Sequence, residues 1–434
     1  MSLFGSSGVR GVINKDFTPE LAAMIGMAVG SKMKSAAVGT DSRTAGPMIE
    51  AAVSSGLMAA GCEVFHAGLV TTPTLAEASR ALGGGVMVTA SHNPPEYEGI
   101  KLLNPDGSGF GVRQTEAIES QLESKKFKLQ PWDKVGTSHV LQDAVRCHIM
   151  RILAGVGKST LKVVVDCANG PASNITPLLL QKMGCKVITI NSNPDGHFPG
   201  RPPEPTEENL QDVMKAVVSM KADLGIAHDG DADRMMAIDE KGRFVGGDQL
   251  LALFAKRYGK KKIVVTVDAS MAIDDYVDAE IIRTRVGDVF VSEAVKRSKA
   301  DFGGEPSGTW IFPDQTYCPD GVLAAARLVE LVEEKKLSEL RKAIPCYPIL
   351  RDHVEFDPKN REKILHGIER ELKGIECESM LTMDGHRLQF KEGWALIRPS
   401  GTEPRIRFLA EARSDALASD IMAIISKAVR ECVK

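Results

Sequence analysis

Three times along this 434-residue chain an apolar segment ends on a loop of small and polar residues. Residues 82–90 lead into Ser91-His92-Asn93-Pro94. Residues 221–228 lead into Asp229-Gly230-Asp231-Ala232-Asp233-Arg234. Residues 299–304 lead into Glu305-Pro306-Ser307-Gly308. The pentads Lys221-Ala222-Asp223-Leu224-Gly225 and Lys299-Ala300-Asp301-Phe302-Gly303 differ at one position. Upstream of each lies a β-branched run that stops at Asp plus small residues, at 36–41, 162–166 and 262–268. Short runs of this kind fit parallel strands buried on both faces. After the first two comes a helix-like stretch, then Gly61-Cys62-Glu63-Val64 or Gly184-Cys185-Lys186-Val187. The rhythm is strand, helix, Gly turn, strand. It predicts a threefold α/β repeat, with a polar loop at the C-terminal end of a strand in each unit, where α/β sheets bind ligands.

Residues from about 354 onward read differently. A helix is expected at 359–372, short strands at 385–390, 394–398 and 406–412, and a helix at 416–433. That pattern belongs to a smaller α+β domain. Length alone predicts roughly three domains. The repeat plus this tail makes four, divided at 1–150, 151–250, 251–345 and 346–434. Helical linkers are expected near 140–155 and 325–342, and a hinge over 343–358 with Pro345, Pro348 and Pro358.

Composition closes off several alternatives. Lys plus Arg is 54 and Asp plus Glu is 57, a net charge of −3. That balance argues against a chain built mainly to bind nucleic acid. Apolar residues make up 43%, enough for large cores and too many for a disordered chain. No apolar run reaches 18 residues, so no membrane span is expected. The first residues have neither the basic nor the apolar region of a signal peptide. The eight cysteines are scattered without a CxxC pair, which predicts buried reduced thiols in a cytoplasmic protein.

The loops offer chemistry. Asp229, Asp231 and Asp233 alternate, so their carboxylates can converge on one hard divalent cation. A solvated acidic turn is the plainer alternative. Ser91 beside His92 is a nucleophile or a hydrogen-bonded turn; the G-x-S-x-G elbow of hydrolases is absent. A nearby metal would lower the cost of a phosphoryl group on Ser91. Arg398, Ser400, Gly401 and Thr402 provide a guanidinium fork, two hydroxyls and accessible backbone, a set suited to phosphate or to an ordinary turn. Phe4 to Gly11 is a Gly/Ser turn containing Arg10. Glu305 and Ser307 could hold sugar hydroxyls, and Lys101 is either exposed or a phosphate ligand.

Taken together, five loops resemble the α-D-phosphohexomutase superfamily, in order and over essentially the whole chain. They are FGSSGVRG at 4–11, TASHNP at 89–94, DGDADR at 229–234, GEPSG at 304–308 and RPSGTEPRIR at 398–407. The resemblance implies three related α/β/α domains and a C-terminal α+β domain around one central cleft. It implies a phosphoserine at Ser91 and Mg²⁺ held by Asp229, Asp231, Asp233 and the Ser91 phosphoryl group. Arg10, His92, Lys101 and Arg234 would surround the transferring phosphoryl group. Glu305 and Ser307 would hold the sugar. Arg398, Ser400, Gly401 and Thr402, assisted by Arg407, would clamp the other phosphate. The implied reaction moves phosphate between O6 and O1 of a hexose through a hexose 1,6-bisphosphate, with closure of the last domain excluding water. The loop Thr284-Arg285-Val286-Gly287-Asp288 resembles that of members acting on glucosamine phosphate. The implied partner is a small sugar phosphate, with neither nucleic acid nor membrane, and a dimer through the first domain is a family-level expectation.

Two departures bear on mechanism. Thr309 stands where many relatives have His after the sugar loop, and Thr40 replaces an Arg that many have before the retained Arg43. His92, Lys101 and Glu305 are therefore all candidates for the general base. Two other classes compete. An apolar strand ending in Asp229-x-Asp231 also fits a haloacid dehalogenase-like phosphatase with Asp229 as nucleophile, which leaves the Ser91 and Arg398 loops unexplained. A non-catalytic sugar-phosphate sensor would not need Ser91 and three aspartates.

Overall fold

The computed structural model describes residues 3–5, 7–399 and 404–433. Its first sheet runs in the order Val9–Val12, Tyr97–Leu103, Gly85–Val88, Ser35–Thr40, Glu63–Leu69, Ser138–Val140. The second runs Phe244–Val245, Met235–Asp239, Leu224–His228, Lys162–Asp166, Lys186–Ile190. The third runs Glu280–Thr284, Lys262–Thr266, Phe302–Glu305, Thr309–Ile311.

One four-strand pattern underlies all three. The strand at 35–40, 162–166 or 262–266 pairs in parallel with its successor on one side and with the third strand of its unit on the other. A fourth strand then returns antiparallel to the third. The repeat is thus real at the level of topology. The antiparallel return was not legible in the chain. In the first unit it is Tyr97–Leu103, which buries Glu98 and Lys101 and so breaks the apolar pattern of a core strand. Each functional loop is consequently the short link between the third and fourth strands of its sheet.

The units differ in independence. Residues 149–344 form one continuous apolar core, shared by the second and third sheets. Helix Gly321–Glu334 is not a linker: it is almost wholly buried and packs against helix Thr176–Met183 and the strands Leu224–His228 and Met235–Asp239. Helix Ala144–Leu153 does connect the first two units, and packs against helices of both.

The last unit is a five-stranded antiparallel sheet in the order Ile349–Glu355, Arg405–Ala412, Gly393–Pro399, His386–Phe390, Ser379–Leu381. Helices Arg361–Lys373 and Asp415–Val433 bury Ile364, Ile368 and Leu372, and Ile421, Ile425 and Val429, in its core. These apolar residues recur at helical spacing. The expected hinge over 343–358 is corrected here. Residues 349–355 are an edge strand paired along their whole length with 405–412, so only the segment before it connects the units. The cysteine expectation is also corrected: Cys62, Cys167, Cys185 and Cys318 are buried, whereas Cys147 and Cys346 are exposed. Among the described residues no helix is long and apolar enough to cross a membrane.

Candidate functional site

Ser91 follows the strand Gly85–Val88 and takes a left-handed backbone (φ 52°), a conformation that non-glycine residues adopt when surrounding structure enforces it. Arg43 enforces it. Its guanidinium is buried and donates to the carbonyls of Ser91 (2.9 Å), Asn93 (2.6 Å), Pro94 (2.6 Å) and Tyr97 (3.0 Å). Asp41 pairs with Arg43 Nε at 3.1 Å, and accepts from Thr89 Oγ1, which accepts in turn from the Ser91 N–H. The loop from the next sheet is held likewise. Arg201 forks onto Asp166 at 3.1 and 3.0 Å and donates to the His228 carbonyl at 2.6 Å.

These clamps bring the first two loops face to face. Ser91 Oγ donates to Asp229 Oδ2 at 2.6 Å and lies 3.3 Å from His92 Nδ1. Asp229, Asp231 and Asp233 each present an oxygen within 4.8 Å of the others, all buried. Lys101 Nζ donates to Asp231 at 2.7 Å and also to Asp233. Thr72 Oγ1 donates to Asp231 at 2.6 Å. Asp231 Oδ1 is buried and has no hydrogen-bond partner among the described residues. Three converging carboxylates, one with an orphaned buried oxygen, fit a hard divalent cation that prefers oxygen ligands.

Charge follows placement. Burial and the neighbouring Asp233 and Asp231 push the Asp229 carboxyl well up. Burial works against ionised Asp231, but Lys101 outweighs it and holds that carboxyl below the usual range. Burial opposes the Lys101 charge too, and Asp231 and Asp233 more than restore it. Burial and the neighbouring Arg234, Arg10 and Lys101 push the His92 imidazole down to about 2, so it stays neutral at pH 7. Arg10 donates to Asn93 Oδ1 at 3.0 Å.

The third loop joins through Arg234. Its backbone N–H donates to Asp229 Oδ1 at 3.1 Å, and it bridges across to Thr309, next to the Glu305–Gly308 loop. Glu305 accepts from the Gly287 N–H at 2.5 Å and from Ser307 Oγ at 3.2 Å. Burial, reinforced by Asp288, pushes Glu305 up to about 7. Arg398 and Arg407 stand apart. They line a cavity of about 450 Å³ with Asp268 and Arg351, on the last sheet. Arg398 Nε pairs with Asp384 at 3.0 Å, and Asp384 also accepts from the Val286 N–H at 2.9 Å. Ser400, Gly401 and Thr402 lie outside the described residues.

Sequence reading did not single out Thr72, Asn93 or Arg201. Thr72 opens helix Thr72–Ser79 after the N-cap Thr71, and the Thr-Thr-Pro signature marks a helix start without showing what the helix faces. Arg201 is far in sequence from the loop it grips, and only folding reveals the contact.

Family models for phosphoglucomutase/phosphomannomutase match the chain over 1–129 (alpha/beta/alpha domain I), 144–242 (domain II), 246–347 (domain III) and 351–428 (C-terminal domain). The chain belongs to this family. It is a phosphohexomutase. A Methanosarcina acetivorans relative, described as a probable phosphoglucosamine mutase, is 52% identical over 438 residues, covering 100% of both chains. The phosphoglucosamine mutase of Methanococcus maripaludis is 43% identical over 97% of each chain. The crystal structure of a phosphoglucomutase/phosphomannomutase family protein from Burkholderia thailandensis superposes with a TM-score of 0.89 at 28% identity, covering 99% of this chain and 97% of that one. Aspergillus fumigatus N-acetylphosphoglucosamine mutase, solved with GlcNAc-6P and magnesium, shares the fold at 17% identity and a TM-score of 0.59, over 100% of this chain and 96% of that one.

Proposed function

We infer that the protein is a phosphoglucosamine mutase, interconverting glucosamine 6-phosphate and glucosamine 1-phosphate through a phosphoserine at Ser91 and a 1,6-bisphosphate. The observation that carries the mechanism is the buried Ser91 Oγ, 2.6 Å from one of three clustered carboxylates and 3.3 Å from His92, an imidazole that feels the charges of Arg234, Arg10 and Lys101. The amino-sugar assignment rests on the full-length relatives and on the loop 284–288.

In this reading the phosphoserine Oγ–P bond breaks as a bond forms from phosphorus to a sugar hydroxyl oxygen. Of the three candidate bases, Lys101 is held as its ammonium and His92 is too weakly basic, so the hydroxyl proton passes to Glu305, whose carboxyl is raised to about 7. The bisphosphate turns over in the cleft, and its other phosphoryl group returns to Ser91. Mg²⁺ on Asp229, Asp231 and Asp233 would supply Lewis-acid stabilisation of the transferring charge. Lys101 would give up its carboxylate partners to the cation, freeing its ammonium for phosphoryl oxygens. Glu305 and Ser307 would hold sugar hydroxyls, and Arg398 and Arg407, with Ser400, Gly401 and Thr402, the distal phosphate. Bidentate guanidinium contacts suit that task. Ser91 is 1% exposed, which disfavours transfer to water. The four-domain division at 150, 250 and 345, a cytoplasmic location and a dimer through the first domain belong to the same reading; light scattering tests the last.

The phosphatase alternative asks Asp229 to attack phosphorus, yet both its oxygens already accept hydrogen bonds, from Ser91 Oγ and the Arg234 N–H. Peptide mass spectrometry after incubation with a hexose 1,6-bisphosphate separates the two: phosphate on Ser91 is expected, and phosphate trapped on Asp229 instead overturns the mutase mechanism. Comparing kcat/KM for glucosamine, glucose and mannose 6-phosphates tests the substrate. A preference above tenfold for glucose or mannose overturns the amino-sugar assignment.

A further inference from the structure

A buried polar chain outside the reacting groups spans three parts of the fold. His148, on helix Ala144–Leu153, is 2% exposed. Its Nδ1 lies 3.0 Å from Thr74 Oγ1, and its Nε2 lies 3.0 Å from Asp320 Oδ2. Thr74 Oγ1 is 2.7 Å from Thr71 Oγ1. A carboxylate can only accept, so Nε2 carries a proton, and in the neutral imidazole Nδ1 accepts from Thr74. Every member of the chain is then satisfied.

Both ends of this chain are helix caps. Thr71 caps helix Thr72–Ser79 of the first unit, accepting from the Thr74 N–H. Asp320 caps helix Gly321–Glu334, accepting from the Leu323 N–H at 2.8 Å. The first residue of each helix grips the metal loop from behind. The Thr72 N–H donates to the Asp231 carbonyl at 3.0 Å, and the Gly321 N–H donates to the Ala232 carbonyl at 3.2 Å. Gly321 is also pressed so close that a Cβ there would fall 2.5 Å from the Arg234 carbonyl oxygen. The two helices approach from different units, and His148 is the side chain that ties one cap to the other.

We propose that His148 is a positioning residue for the metal loop: by locking the caps of two helices together, it fixes the backbone of Asp231 and Ala232 and so the spacing of the carboxylates. The proposal rests on the reading of Asp229, Asp231 and Asp233 as cation ligands. Removing the imidazole lets the two helix starts move independently, and the carboxylate spacing becomes heterogeneous. Groups hydrogen-bonded directly to a metal ligand typically change metal affinity by about 10–100-fold, and His148, acting through the helix caps, is expected at the lower end of that range.

The test is direct Mn²⁺ binding, measured by electron paramagnetic resonance on the full chain, with all samples in one phosphorylation state. His148→Ala is expected to weaken Mn²⁺ about tenfold or more. Thr74→Val, which keeps the side-chain volume and removes the hydroxyl, is expected to weaken it less, and the double variant to fall short of the product of the two. Thr74→Val also serves if His148→Ala does not fold. A purely structural role would lower the melting temperature and leave Mn²⁺ affinity unchanged; that result in the folded variants overturns the proposal. Failure of the unmodified protein to bind Mn²⁺ overturns the metal reading itself.

Discussion

The loops around Ser91 and Asp229 and the arginine-lined face of the last sheet are built in opposite ways. Around Ser91 and Asp229, buried guanidiniums are spent on the protein's own backbone. Arg43 holds four carbonyls, and Arg201 holds Asp166 and the His228 carbonyl. On the last sheet, Arg398 and Arg407 line an open cavity of about 450 Å³. That sheet meets the third unit through the Asp384 contact with Val286, through Arg387 on the Val267 and Ala269 carbonyls, and through a joint centred on Glu411. Val267, Met271, Trp394 and Leu396 form its apolar part, and Glu411 accepts from Ser270 Oγ (2.5 Å), the Met271 N–H (2.8 Å) and Trp394 Nε1 (2.6 Å). Phosphoryl transfer requires in-line positioning, which rigid loops supply. A substrate that must present first one phosphate and then the other needs a grip that can re-form. The difference separates arginines spent on the protein's own backbone from arginines that face a cavity where, on the proposed reading, a phosphate binds.

The largest expected effect lies at the centre. Ser91→Ala should lower kcat/KM by at least about 10³-fold in a coupled assay for glucosamine 1-phosphate, since on the proposed reading it removes the group that carries the phosphoryl. Equal turnover would end the phosphoserine assignment.

Next comes the clamp. Arg43→Ala leaves Asp41 buried without its cation, which costs about 3–5 kcal/mol of stability in chemical denaturation. Arg398→Ala should barely shift the same curve, because that side chain is 39% exposed beside Asp384. Comparable losses for both would erase the distinction between architectural and ligand-facing arginines.

Glu305 sits between the two regions and gives a pH test. Its carboxyl is raised from 4.5 to about 7, chiefly by burial. The folded state therefore keeps this proton where the unfolded chain has released it. Stability should fall as pH rises from about 4.5 to about 7, by up to about 3 kcal/mol, and level off above. In Glu305→Gln, unfolding curves across that window should lose this slope. If Glu305 is also the base, the pH–rate profile loses an ionisation near 7 in the same variant.

The smallest effect is expected at the distal phosphate. Arg407→Ala should raise KM by about tenfold to a hundredfold, as loss of a charge-assisted hydrogen bond does, with a lesser change in kcat. A fall in kcat at unchanged KM would place Arg407 in the chemistry and break the comparison.

Much of this was legible in the chain. The nearly identical pentads before the metal and sugar loops revealed the repeat, because a strand that delivers a loop must be both apolar and sharply ended. Alternating Asp229, Asp231 and Asp233 pointed to a candidate cation site, and the structure brings their carboxylates together and buries them. The glycine-rich loops and Arg398 pointed to phosphate for equally local reasons.

What the chain did not disclose is everything that depends on contact between distant segments. The merged core of residues 149–344, the burial of helix Gly321–Glu334, the grip of Arg201 on the His228 carbonyl and the link from Thr74 through His148 to Asp320 are of this kind. So is the state of each ionisable group. His92 and Lys101 are ordinary residues in the sequence; burial beside cations makes one neutral, and neighbouring aspartates keep the other charged. Residue type and spacing determined which chemistry is possible. Tertiary structure decided which groups meet and in what protonation state, because desolvation and Coulomb interaction depend on position in space rather than order along the chain.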